Sequence, residues 1–241
     1  MQEWFDSIKR QFILNFINDN RWQFLLSGLG VTLRITFFAL LIGIVIGVVI
    51  AIVRSTYDMN ADKMRPAGRL ILKFFNTLCK FYLTVVRGTP VVVQLMIFYF
   101  VILVNIKNGA LIGMVAFGIN SGAYIAEIFR SGIMSIDSGQ FEAGRSLGFN
   151  YIQTMRYIII PQAFKNILPT LANEFIVLLK ETAVVGYVAV QDLTKAGDII
   201  RGRTFSAFMP LIAVALVYLS LVMFFTKLVG RLERRLRSSE R

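Results

Sequence analysis

The sequence predicts an all-α integral membrane protein of about five transmembrane helices, and three observations predict it. The first is a set of uncharged runs, Ile35–Val53, Gly88–Ile106, Asn108–Ala126 and Ala207–Thr226, each 19 or 20 residues long. Helices of that length match a hydrocarbon core of roughly 30 Å. The second is composition: 56% of the 241 residues are hydrophobic and 17% charged, which excludes disorder and fits a soluble globule poorly. The third is the placement of charge. The net charge is +12, yet the lysines and arginines gather in short connections beside the apolar runs. That is the pattern of membrane orientation, and no nucleic-acid partner is expected.

Residue types exclude several chemistries. There is no histidine, and Cys79 is the single cysteine. A Ser-His-Asp triad, a zinc hydrolase motif, a disulfide and a thiolate metal site therefore cannot be built, and no metal is expected. No G-x-x-x-x-G-K-[ST] phosphate loop is present, so the chain is expected neither to hydrolyse ATP nor to act as an enzyme. The N-terminus, MQEWFDSIKRQ, lacks the pattern of a cleaved secretory signal. Residues 1–22 read as an amphipathic segment, external in the orientation below.

The expected membrane domain covers 23–230. Its first span runs from Trp22 to Val53 and carries Gly43, Gly47 and Ala51 at four-residue spacing. Small residues so spaced let another helix approach closely, although glycine is also simply frequent in membrane helices. Arg34 inside this span must snorkel or pair. A polar loop, 54–69, follows. The next stretch is too long for one simple span. Its polar residues Arg69, Lys73, Asn76, Lys80, Thr84 and Arg87 recur every three or four positions and so share one helical face. It reads as an amphipathic entry helix, a break at Gly88–Pro90, and a span ending near Val104. The third span is Ala110–Ile133, and the fourth, Phe164–Ala189, is the least apolar because it holds Glu174, Lys180 and Glu181. The fifth, Phe208–Val229, ends in a basic tail, 231–241.

Fifteen lysines and arginines lie in the connections on one side of these five spans and seven on the other. The positive-inside bias puts the N-terminus outside and the tail in the cytoplasm. If residues 70–86 also spanned, six spans would place the N-terminus inside and the separation would be less clean.

Between spans three and four lies EAGRSLGFNYIQTMRYIIIP, residues 142–161. Asp137 and Ser138 are N-cap candidates, with Gln140 three beyond Asp137 as a partial capping box. A short helix is expected to Leu147, ended by a left-handed turn at Gly148. Asn150, with Gln153 three beyond, caps a second, and Pro161 stops or redirects it into span four. Ala143, Gly144 and Ser146 give the first helix a slim surface suited to a partner's cleft. An ordinary interfacial hairpin would look the same.

This stretch resembles the EAA signature of ABC-transporter membrane subunits. Glu142, Ala143, Gly148, Ile158 and Pro161 fall at the signature positions; Gly144 stands in place of its second alanine and Ile160 in place of its leucine. GVTLRIT in span one, VVRGTPVVVQL, NSGAYIAEIFRSGI and LPTLANEFIVLLKETA are similar to the polar amino acid permeases of bacterial importers, in the same order. The resemblance implies a type I ABC importer permease fold in the bacterial plasma (inner) membrane. Segment 137–161 would be the coupling helix, with Glu142, Ala143, Gly144, Arg145 and Gly148 meeting a cytoplasmic ATPase and Ile158 and Pro161 bounding it. Implied partners are an ATP-binding cassette ATPase dimer carrying ATP and Mg, a second permease subunit (identical or related), an extracytoplasmic solute-binding protein and an amino acid substrate. No cofactor would be bound by this chain.

Polar residues at membrane depth are costly and need a purpose or a partner. Asn120 and Ser121 in span three, Asn173 and Glu174 in span four, Glu127 nearer the cytoplasm, and Arg87 and Gln94 in the broken element are candidates for a substrate path. Amide or arginine donors suit a carboxylate, and Glu174 or Glu127 suits an ammonium. Glu127 is equally suited to pair with Arg130 or Arg87 and fix packing. An ion-coupled secondary transporter of small polar solutes is the rival reading. It predicts paired broken helices in both halves, and only the break at 88–90 is visible.

Overall fold

The computed structural model describes residues 1–238, and these are helical with no strand. The last three residues of the expected basic tail, 239–241, lie outside the described residues. The helices are α1 (Gln2–Phe12), α2 (Trp22–Asn60), α3 (Pro66–Gly88), α4 (Val91–Ile97), α5 (Gly109–Met134), α6 (Ser138–Ser146), α7 (Tyr151–Thr154), α8 (Ile160–Glu181), α9 (Leu193–Thr204) and α10 (Phe208–Ser238). Among them α2, α5 and α10 are long and apolar enough to cross a membrane, and a fourth span results if α3 and α4 count as one broken element.

Several boundaries depart from expectation for identifiable reasons. Helix α2 does not stop at Val53 but continues to Asn60. At 1.5 Å per residue its 39 residues reach about 58 Å, far more than a bilayer core. The expected loop continues the helix because its charged residues find partners on α5, described below. Helix α10 likewise absorbs the tail as far as Ser238. The break is where glycine and proline put it: Gly88 is the last residue of α3, Thr89 is extended, and α4 starts at Val91.

Pro161 does not stop a helix. A widened π-helical turn, Met155–Ile159, precedes it, with the Ile160 N–H donating to the Met155 carbonyl, and α8 runs on through the proline. A widened turn absorbs the lost donor and the ring clash that proline imposes. The fourth span ends earlier than Ala189: α8 closes at Glu181, a 3-10 segment covers Thr182–Val188, and Ala189 is left-handed. The second half is thus interrupted too, and the connection beyond it holds a helix the sequence reading missed, α9.

The chain divides into two compact units. One comprises Met1–Ala39, Val91–Phe117 and Ile176–Lys227; the other comprises Leu40–Pro90, Gly118–Phe175 and the residues from Leu228 on. In the first, buried Thr32 accepts a hydrogen bond from the Leu193 N–H at 3.1 Å, and Thr36 bonds Thr182 at 3.3 Å. Asn15, fully buried, accepts from Thr204 Oγ1 at 2.8 Å and so fixes the segment after α1 to the end of α9. Helix α1 itself buries nothing and leaves Trp4, Phe5 and Phe12 exposed.

In the second unit α2 packs on α5 through glycine, and the close-approach reading of Gly43 and Gly47 finds its partner there. A methyl group on Gly47 would lie 2.6 Å from Ile125 Cγ2 and 2.9 Å from the Ala126 nitrogen. Without a hydrophobic force between helices in lipid, such contact is what binds them. Ile50, Leu83, Val86, Ala123 and Ala126 complete one core of this unit, and Ile133, Ile159, Ala163 and Ile167 a second beside the short helices.

Candidate functional site

The short helices α6 and α7 form a hairpin whose ends are chemically specified. The Asp137 carboxylate accepts from the Gly139 N–H at 2.6 Å and caps α6. Gln140 does not complete a capping box; its side chain accepts from Gln162 Nε2 at 3.3 Å. Gly148 sits at φ +80, its N–H donating to the Arg145 carbonyl at 2.9 Å and the Phe149 N–H to the Gly144 carbonyl at 3.0 Å. That pair of bonds closes a helix end through a left-handed residue. Asn150 then forms a full capping box with Gln153: each side chain accepts from the other's backbone N–H at 2.9 Å.

The expected docking residues divide into two groups. Glu142, Ala143, Arg145, Ser146 and Gly148 are exposed, as is Leu147 at 70%. Gly144 is buried within the hairpin against Thr154, so its smallness serves the packing of α6 on α7 and not an outer surface. Ile158 packs against the Ile133–Ile159 core, and Pro161 is exposed. A cavity of 390 Å³ adjoins the hairpin, bordered by Met59, Phe141, Glu142, Arg145 and Tyr151.

The same unit holds most of the polar residues expected at membrane depth. Ser121, 1% exposed, donates to Glu174 Oε1 at 3.1 Å and ties α5 to α8. Asn120 is buried beside it in sequence, while Asn173 is exposed. Gln94 belongs to the other unit, half-buried on α4.

Glu127 is held twice. Arg54 of α2 donates through Nη1 to its Oε1, and Arg130 donates through Nε to Oε2 at 3.4 Å. Arg130 also reaches Asp58 of α2 at 3.2 Å. The result is an alternating charge cluster that joins the extended end of α2 to α5. Of the two partners considered for Glu127, Arg130 is the one present; Arg87 lies instead over the Tyr124 ring, 5.6 Å from its centroid. Arg54 and Asp58 were missed as partners, because their counterparts Glu127 and Arg130 lie some seventy residues away in sequence. Side chains here are 14–29% exposed, so removing one partner costs more than at a surface bridge and less than at a fully desolvated pair.

Asp192, in the first unit, was also missed. It is fully buried and caps α9 by accepting from the Lys195 N–H at 2.8 Å and the Thr194 N–H at 3.2 Å. Burial pushes its carboxyl above the usual aspartate range against the pull of those bonds. Thr194 in turn bonds the Tyr218 hydroxyl at 3.2 Å, fixing α9 to α10.

Comparison with known proteins gives a consistent result. Residues 64–238 match the family model described as the binding-protein-dependent transport system inner membrane component. The chain is 37% identical to the arginine transport system permease protein ArtQ of Bacillus subtilis, over 90% of this chain and 94% of that one. It is 38% identical to the glutamine transport system permease protein GlnP of Escherichia coli, over 65% of this chain and 73% of that one. Among solved structures, that of an amino acid ABC transporter with histidines aligns with TM-score 0.79 at 40% identity, covering 91% of this chain and 98% of its own.

Proposed function

This chain belongs to the binding-protein-dependent transport system inner membrane components, as the permease subunit of an amino acid ABC transporter, and we propose on that premise how it works. It forms part of the substrate path of an importer and couples that path to a separate ATPase subunit. The ATPase dimer carries ATP and Mg, a second permease subunit (identical or related) completes the path, and an extracytoplasmic binding protein delivers the amino acid. The N-terminus is outside and α10 ends in the cytoplasm, which the fifteen-to-seven bias of basic residues supports.

The hairpin carries the coupling reading. Its two helices are closed by the Gly148 turn and the Asn150–Gln153 box, and the α6 face bearing Glu142, Ala143 and Arg145 is left exposed. A unit whose helix ends are closed in this way can transmit a push from a partner with little local deformation. The packing that seats it, Ile159 and Ala163 against Ile133, passes such a push to α5 and α8. ATP binding would then shift the population of two path conformations through differential binding, and hydrolysis would reset it. Within this frame Asn120, Ser121, Asn173 and Glu174 are the path candidates, since the Ser121–Glu174 bond joins the two helices that the hairpin moves.

The test is co-purification followed by transport. The chain is expressed with its neighbouring genes, and any ATPase that accompanies it is reconstituted with it in vesicles. ATP-dependent uptake of an amino acid supports the reading; uptake that proceeds without ATP overturns it in favour of an ion-coupled transporter. In the same vesicles Gly148→Pro, which φ +80 forbids, should abolish ATP-driven uptake while the chain still inserts.

A further inference from the structure

We propose that Arg54, Lys80 and Arg87 form a headgroup site for an anionic phospholipid. The three side chains converge on a cavity of 570 Å³, completed by Thr84, Tyr124 and Glu127, all within the second unit. A pocket of that size accommodates a headgroup or a small ligand. It contains three cations and one carboxylate, and that carboxylate is already shared between Arg54 and Arg130. The cavity is therefore left with an excess of positive charge, which is costly next to an apolar phase unless an anion answers it.

Two further observations choose the anion. Arg54 Nε is buried with no acceptor among the described residues, so Glu127 does not exhaust the hydrogen-bonding capacity of this guanidinium. Next to Lys80 and Arg87, the same helix α3 exposes large apolar side chains: Leu78 at 49%, Phe81 at 68% and Val85 at 43%. A basic pocket flanked by an exposed apolar strip takes a molecule with an anionic head and hydrocarbon tails. A zwitterionic amino acid fits less well, because its ammonium would need Glu127, which two arginines already hold. Arg54 is the first charge after the uncharged run Ile35–Val53, so it stands where α2 leaves the hydrocarbon and headgroups lie. The inference does not depend on which solute the chain moves.

The experiment is native mass spectrometry of the purified chain with whatever subunits accompany it. It is titrated in detergent with phosphatidylglycerol and with phosphatidylcholine of the same acyl chains. Phosphatidylglycerol should be retained about tenfold better, and Lys80→Gln should lower its occupancy about fivefold, Lys80→Gln with Arg87→Gln further still. Lys73→Gln, on the same stripe of α3 but outside the cavity, should match the wild type. Equal retention of the two lipids overturns the proposal, as does an equal loss in the Lys73 and Lys80 variants. Displacement of the lipid by millimolar glutamate would make the cavity a cargo site, and displacement by inorganic phosphate a free-anion site; either result also overturns it. Should the variants fail to fold, the wild-type lipid preference and the two displacement arms decide.

Discussion

A methyl group placed on Gly144 would lie 2.7 Å from both Thr154 Oγ1 and Thr154 Cγ2, so α6 and α7 meet at a point that admits only hydrogen. Thr154 cannot easily retreat. It is β-branched, 2% exposed, and its hydroxyl donates to the Asn150 carbonyl at 3.0 Å within the capped turn.

Gly144→Ala should therefore destabilise the hairpin even though alanine favours a helix by about 1 kcal/mol, because overpacking costs about 1–3 kcal/mol. Hydrogen exchange across residues 138–160 should quicken in Gly144→Ala. Adding Thr154→Ala should restore protection to the wild-type level or better. A single variant that exchanges as slowly as the wild type would sink the packing account of this glycine.

Gly148 raises a different constraint, one of backbone conformation. At φ +80 an alanine costs about 1–2 kcal/mol for its side chain's clash with the following carbonyl. Nothing lies within 4 Å of the added atom, so the strain is local and no packing loss accompanies it. Gly148→Asn should cost less than Gly148→Ala, since asparagine visits the left-handed region more readily. Melting in detergent, followed with the same exchange window, orders the two variants; the reverse order would rule out the conformational explanation.

The charge cluster predicts a selective coupling. Glu127→Gln leaves Arg54 and Arg130 facing each other without their shared carboxylate and should cost about 1–3 kcal/mol, discounted for partial exposure. A double-mutant cycle between Arg54→Gln and Glu127→Gln should give about 1 kcal/mol or more of coupling. The cycle between Arg87→Gln and Glu127→Gln should stay within about 0.5 kcal/mol, because Arg87 stacks on Tyr124 instead. Comparable couplings in both cycles would mean that the cavity acts as one diffuse field.

The hairpin was legible because its signals are local: Asp137, Gly148, and Asn150 with Gln153 each act within four residues of themselves. The break at Gly88–Pro90 was legible for the same reason. What escaped depended on distant partners. Arg54 and Asp58 read as loop charges because Glu127 and Arg130 lie some seventy residues away, and pairing with them continues α2 to Asn60. Gly144 read as part of an outer surface because Thr154, its neighbour in space, belongs to the next helix. Helix α9 was overlooked because 12 residues with mixed charge carry no membrane signal, though Asp192 ahead of Leu193 was a readable cap.

That helix offers a test in which two aspartates respond to pH in opposite directions. Asp198 accepts from Lys195 Nζ at 2.9 Å and from Arg201, and these partners hold its carboxyl below the usual aspartate range. Its contribution to stability is thus present above the unfolded value of about 4 and is lost as pH falls through the lower folded value. Asp192 is raised by burial, so the folded chain takes up its proton before the unfolded chain does. Stability therefore declines as pH rises from about 4 through the raised value and levels off beyond it. Asp192→Asn should remove that decline; its single amide oxygen keeps the shorter bond from the Lys195 N–H, and its amide nitrogen replaces the oxygen that accepts from the Thr194 N–H. At pH 7 it should cost less than Asp192→Ala, which loses both bonds of the cap, about 1–2 kcal/mol. Asp198→Asn should flatten the acid side alone. Melting temperatures between pH 3 and pH 8 separate these cases. If the decline with rising pH persists in Asp192→Asn, burial of the Asp192 charge is not its cause.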